Sequence, residues 1–304
     1  MPICKLCRKE AILQASHILP AFAVRWLKET GATSYLRTAV TPNKRVQDAT
    51  TIDLLCRACE ERFGVNEEIF ARTIFRPYVE KELNDRGEGT GTLKEFRYEP
   101  WLLRFIISLQ WRTIATLAGQ EIINPHHNQY LSTLEIFESI WRDFLLGARD
   151  NTGPCETHMV FLQSLTAASR TSTFSQLGKN VNYYILRSID ATAISGKRKL
   201  LAIYSKLGPI AFFTSILPPT MTRTPDSRIR MRGTIKTGQS VRNRLIGRFI
   251  FITRPNEAGG VFEMSERQKE IIIRDMRKDL GKTRESLTHK AFMGDLWIEQ
   301  QKDT

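Results

Sequence analysis

Cys4-Lys5-Leu6-Cys7 and Cys56-Arg57-Ala58-Cys59 hold four of the five cysteines of this 304-residue chain. Two thiolates separated by two residues can grip one tetrahedral metal ion from a tight turn, and two such turns complete a four-sulfur shell. Residues 1–60 are therefore expected to fold around a structural zinc. The 48 residues between Cys7 and Cys56 exceed the gap of about 15 to 20 found in a compact four-cysteine ribbon, so a long insertion must loop out of the knuckle. Disulfides and reduced core cysteines are the alternatives. Met1-Pro2-Ile3-Cys4-Lys5 opens no signal-peptide run, and a cytosolic chain keeps its thiols reduced, so a cytoplasmic location is expected. Cys155, after Gly153-Pro154, reads as an ordinary small buried or loop residue. Between the two pairs lies Ser16-His17-Ile18-Leu19-Pro20. A four-sulfur shell has no need of His17, and function is sought there.

Charge points to the partner. Lys and Arg number 45 against 32 Asp and Glu, a formal net charge of +13. Such an excess favours polyanions through counterion release, with nucleic acid ahead of an anionic membrane surface. The most apolar stretch, 101–118, carries Arg104, Ser108 and Arg112 at spacings of four. These fall on one stripe of a helix, which argues against a membrane span and for a largely buried core helix.

Three regions are expected. Residues 1–83 form the cysteine module, with a short amphipathic helix over 21–29 carrying Phe22, Trp26 and Leu27, and a helix starting at Asn66 with Glu67 and Glu68 in its first turn. A polar linker follows over 84–91. Residues 92–150 read as a helical brace: the buried helix comes first, Pro125 closes the connection, and Ser132-Thr133-Leu134-Glu135 opens a second helix as a capping box. Residues 151–304 read as an α+β domain in which the runs 183–189, 199–204, 210–217 and 249–253 form an antiparallel sheet, with a covering helix over 268–280.

Segment 223–248 holds Arg223, Arg228, Arg230, Arg232, Lys236, Arg242, Arg244 and Arg248 against the single acid Asp226. Its glycines and polar residues suggest a loop, and guanidinium groups on a loop can fork onto phosphate oxygens. Aromatic residues are absent from it, which favours tracking of a nucleic-acid backbone over base stacking; a solvated surface loop is the plain alternative. In the first module Glu60 directly follows Cys59, and Glu67 lies seven residues on. On a helix that spacing places both on one face. A neutral histidine near hard carboxylate oxygens suits magnesium-assisted attack of water on a phosphodiester. The plainer alternatives are a hydrogen bond from His17 to the knuckle backbone and service of Glu67 to the helix dipole.

The sequence Cys-x-x-Cys, then Ser-His-Ile-Leu-Pro, then Leu54-Leu55-Cys56-Arg57-Ala58-Cys59-Glu60 resembles the zinc-knuckle branch of the HNH, or His-Me finger, endonucleases, and more closely a group of bacterial HNH-like proteins. The resemblance covers residues 1–80. It implies a treble-clef-like ββα zinc module in which His17 is the general base and Glu60, in place of the family histidine, is a magnesium or manganese ligand, with Glu67 as a further candidate. Ser16 stands where the family has a metal ligand. The family asparagine has no clear counterpart; Thr51 occupies about its place, and Asn43 and Asn66 are candidates. The expected activity is metal-dependent hydrolysis of nucleic acid, DNA before RNA, in the mobile-element or phage-defence settings where such proteins occur. Arg228, Arg230, Arg232, Arg242 and Arg244 would grip its phosphates. The alternative is a catalytically silent, zinc-stabilised module that binds nucleic acid or a protein partner.

Overall fold

The computed structural model describes residues 1–49, 51–82, 94–117, 129–165, 176–196, 200–220, 225–239, 241 and 243–302. The architecture is α+β. Strand β1 (Leu13–His17) pairs antiparallel with β2 (Thr51–Cys56), and the hairpin runs directly into helix α2 (Arg57–Phe70). Helix α1 (Ala21–Glu29) occupies the insertion between the strands, burying Ala23, Val24, Trp26 and Leu27. This is the ββα order expected around the cysteines. Helix α2 begins at the second cysteine pair rather than at Asn66, which sits inside it. Cys56 is its N-cap residue and supplies no side-chain cap, so the knuckle marks its start in place of a polar capping residue.

The middle region is helical after the short strand β3 (Glu95–Tyr98). Helix α3 (Pro100–Leu117) is buried over much of its surface: Leu102, Phe105, Ile106, Ile107, Leu109, Trp111 and Ile114 are fully enclosed. Helix α4 (Leu131–Leu146) turns Leu134, Phe137, Trp141, Phe144 and Leu145 inward, as the periodicity required. It starts one residue before Ser132, so the expected capping box is absent; Gly147, in the left-handed conformation at φ 83°, ends it.

The C-terminal region is built on a five-stranded antiparallel sheet in the order β5-β6-β7-β4-β8. Its members are β4 (Glu156–Phe161), β5 (Ile189–Gly196), β6 (Leu200–Leu207), β7 (Ile210–Leu217) and the short β8 (Arg228–Ile229). Strands β6 and β7 read as near-continuous apolar runs because both faces are covered. One face, with Leu201, Ile203 and Phe212, joins a core shared with α3 and the cysteine module. The other, with Ala202, Tyr204 and Phe213, packs on helix α5 (Val181–Arg187) and the C-terminal helices. Strand β9 (Gly233–Lys236) pairs with β3 and so ties segment 223–248 to the helical brace.

Three expectations are corrected here. Residues 183–189 lie mostly in α5, and 249–253 form a π-helical turn between the short helices α6 (Arg244–Arg248) and α7 (Arg254–Ala258). Short apolar runs rich in β-branched and aromatic residues suit either a strand or a buried helix, and tertiary packing decided for the helix. Segment 223–248 is not a plain loop: its described part contains β8, β9 and α6. The chain closes with α8 (Glu266–Arg277), which matches the expected covering helix, then α9 (Leu280–Glu285) and α10 (Leu287–Lys302). The expected linker over 84–91, Pro125, Arg223 and Arg242 lie outside the described residues. Among the described residues no helix is long and apolar enough to cross a membrane.

Candidate metal centre and neighbouring histidine

The first cysteine pair sits on a tight turn. The Arg8 N–H donates to the Cys4 carbonyl at 2.9 Å, the Cys4 N–H donates to Lys9 O at 2.9 Å, and Arg8 itself adopts the left-handed φ of 60°. The Lys5 N–H reaches Leu54 O at 3.0 Å, so the turn is laid against β2 just ahead of the second pair. Cys56 ends β2 and Cys59 lies in the first turn of α2. All four sulfur atoms lie within 4.8 Å of one another, and Cys7 Sγ is 3.8 Å from Cys56 Sγ. A tetrahedral site with Zn–S bonds of about 2.3 Å places its sulfurs about 3.8 Å apart, whereas a disulfide needs about 2.05 Å. The cluster can bind a metal such as zinc.

Electrostatics agree with that geometry. Burial opposes ionisation of Cys4, but backbone N–H groups of Cys56, Cys7 and Leu6 outweigh it and bring the thiol down to about 7. Burial and the neighbouring sulfurs push Cys59 far above its ordinary value. Four thiolates cannot gather here without a counter-charge, which a soft dication would supply.

His17 closes β1, directly across from Thr51 at the start of β2. Its Nε2 is buried and lies 3.2 Å from Asp48 Oδ1, off the line of a well-formed hydrogen bond. Ser16 is buried and spent on the backbone: its hydroxyl donates to Gln14 O at 3.3 Å and accepts the Leu55 N–H at 3.2 Å.

Glu60 and Glu67 do share a face of α2, and both turn to Arg112 of α3. Arg112 Nη1 donates to Glu67 Oε1 at 2.7 Å, and Nη2 lies 3.7 Å from Glu60 Oε2. The guanidinium also rests 4.8 Å from the Phe63 ring centre, with its side chain only 3% exposed. Glu60 Oε1 and Arg112 Nε are buried without a hydrogen-bond partner. Among the described residues, the four cysteines are the one group of three or more His, Cys, Asp or Glu whose ligand atoms converge to metal-binding distance. His17 and the two glutamates do not form a second such group.

Three of the six described cations of the basic segment pair with acids. Arg228 pairs with Glu156 at 2.8 Å, Arg232 with Glu99 at 2.7 Å, and Lys236 with Glu95. Arg230 and Arg244 are exposed. Sequence reasoning missed two residues of this region. Arg112 carried a usable signal, since an arginine inside the most apolar helix needs a counter-ion. Asp48 carried none, standing 31 residues beyond His17 in irregular chain. Comparison with family models, curated proteins and solved structures returned no match.

Proposed function

We propose that this protein is a zinc-stabilised, metal-dependent endonuclease that hydrolyses phosphodiester bonds in DNA. The observation that carries the reading is the layout of the first module. The cysteine cluster joins a hairpin to a helix, with His17 at the end of the hairpin's first strand and Glu60 in the first turn of the helix. This is the arrangement of the His-Me finger enzymes that the sequence resembles. His17, which no cysteine cluster needs, takes the proton of the attacking water as its oxygen bonds to phosphorus; the bond from phosphorus to the leaving oxygen breaks, and that oxygen is protonated from solvent. Glu60, whose buried Oε1 has no hydrogen-bond partner, would hold a magnesium or manganese ion, with Glu67, which Arg112 binds, as a further candidate. Such an ion supplies charge stabilisation at the phosphate and the leaving oxygen. Arg228, Arg230, Arg232 and Arg244, within a chain of net charge +13, give phosphate contacts that do not depend on sequence.

One observation favours a second reading, a silent module that grips nucleic acid or a protein: Arg112 already pairs with both glutamates. The full chain, purified with zinc and assayed on single- and double-stranded DNA and RNA with magnesium or manganese, separates the two. Cleavage that falls about 100- to 10,000-fold in His17→Ala, and is lost in Glu60→Ala, supports the enzyme. Binding without cleavage under every condition supports the silent module.

A further inference from the structure

His17 is not left to orient itself. The insertion between β1 and β2 returns to the hairpin through Gln47 and Asp48, and is fastened to α1 on the way, where Lys28 Nζ donates to Gln47 O at 3.1 Å. Asp48 Oδ1 is in turn fixed by its neighbour's backbone, accepting the Ala49 N–H at 2.8 Å. This anchored oxygen is the one that stands 3.2 Å from His17 Nε2.

A neutral imidazole has one N–H and one lone pair, and the partner of one nitrogen decides which is which. A carboxylate oxygen attracts an N–H at Nε2 and repels a lone pair there. We propose that Asp48 is the positioning residue of His17: it holds the ring as the Nε2–H tautomer and leaves the lone pair on Nδ1 to accept the proton of the attacking water. Asp48 remains ionised throughout and offsets the positive charge that the ring acquires. Its own electrostatics fit the pairing. Burial raises its affinity for a proton, but the Ala49 N–H, His17 and then the charge of Lys28 outweigh this and hold the carboxyl below its ordinary value.

The role rests on the reading of His17 as the base, and the test keeps the two apart. Nitrogen-15 NMR of the His17 ring in the zinc-loaded full chain reads the tautomer with no need for activity; steady-state cleavage with magnesium reads the consequence. Wild-type protein should show the Nε2–H form alone, and Asp48→Ala a mixture of tautomers. Asp48→Ala should also lower kcat about 10- to 100-fold with KM and DNA affinity unchanged, a smaller loss than removal of the base itself. Asp48→Asn, whose amide oxygen can face Nε2 as the carboxylate does, should restore the tautomer and part of the rate. Identical ring signals in wild type and Asp48→Ala would overturn the proposal. A tautomer change in a protein that cuts nothing upholds the contact and removes the nuclease. A nuclease as fast with Asp48→Ala as without it leaves the enzyme standing and removes the positioning role.

Discussion

Replacing Arg112 by methionine should destabilise the chain more than any exposed charge substitution, because it strands two carboxylates in the seam between α2 and α3. Methionine keeps much of the length and the packing against Phe63, so the change is chiefly one of charge. The arginine side chain is 3% exposed, and its partners Glu60 and Glu67 are 26% and 19% exposed. Breaking a fully buried pair by removing one partner costs about 3–5 kcal/mol; partial access of water to these glutamates lowers the expectation to about 2–4 kcal/mol. For a chain of this length that corresponds to a fall in Tm of roughly 3–6 °C. Urea unfolding of wild type, Arg112→Met, Glu67→Gln and the double variant measures the interaction directly. The double variant should be more stable than Arg112→Met alone by about 1 kcal/mol or more, since one of the two stranded charges is gone. Arg112→Met within about 0.5 kcal/mol of wild type, or a coupling energy near zero, would refute the view that this arginine is the counter-ion holding the helices in register.

Purified protein should carry one tightly held zinc per chain, and Ser in place of Cys4, Cys7, Cys56 or Cys59 should unfold the first module rather than merely slow it, since metal binding there is folding energy; elemental analysis and circular dichroism with and without chelator check this. Neutralising Arg228, Arg230 and Arg232 together should weaken DNA binding and flatten its dependence on salt, the slope falling by about one for each phosphate that is no longer neutralised; an unchanged slope returns segment 223–248 to ordinary surface. Asp295 accepts the backbone N–H groups of Asn182 and Tyr183 at 2.7 and 2.9 Å, yet burial dominates and raises its carboxyl to about 6. A folded-state value above the unfolded one favours the fold fully at low pH, and the advantage is lost as pH rises from about 4 through about 6. Asp295→Asn should remove that decline, as thermal unfolding at a series of pH values would show.

The cysteine module was legible because its signal is local: a pair two residues apart means a turn and a shared ligand site whatever lies between the pairs. The buried helix α3 and strands β6 and β7 were legible for a related reason, since long apolar runs must be enclosed. Helix α5 was not. Its first N–H groups are capped by Asp295, 113 residues beyond Asn182 on α10, and no window of sequence around Tyr183 contains that partner. The seven-residue spacing of Glu60 and Glu67 did put them on one face, but what that face meets depends on α3 arriving with Arg112. The sequence alone determined the ligand types, the charge and the periodicities, because these are properties of neighbours along the chain. Only the tertiary structure decided that His17 faces Asp48 and that the two glutamates face an arginine, because those pairings arise from chain closure and from helix packing between segments far apart in sequence.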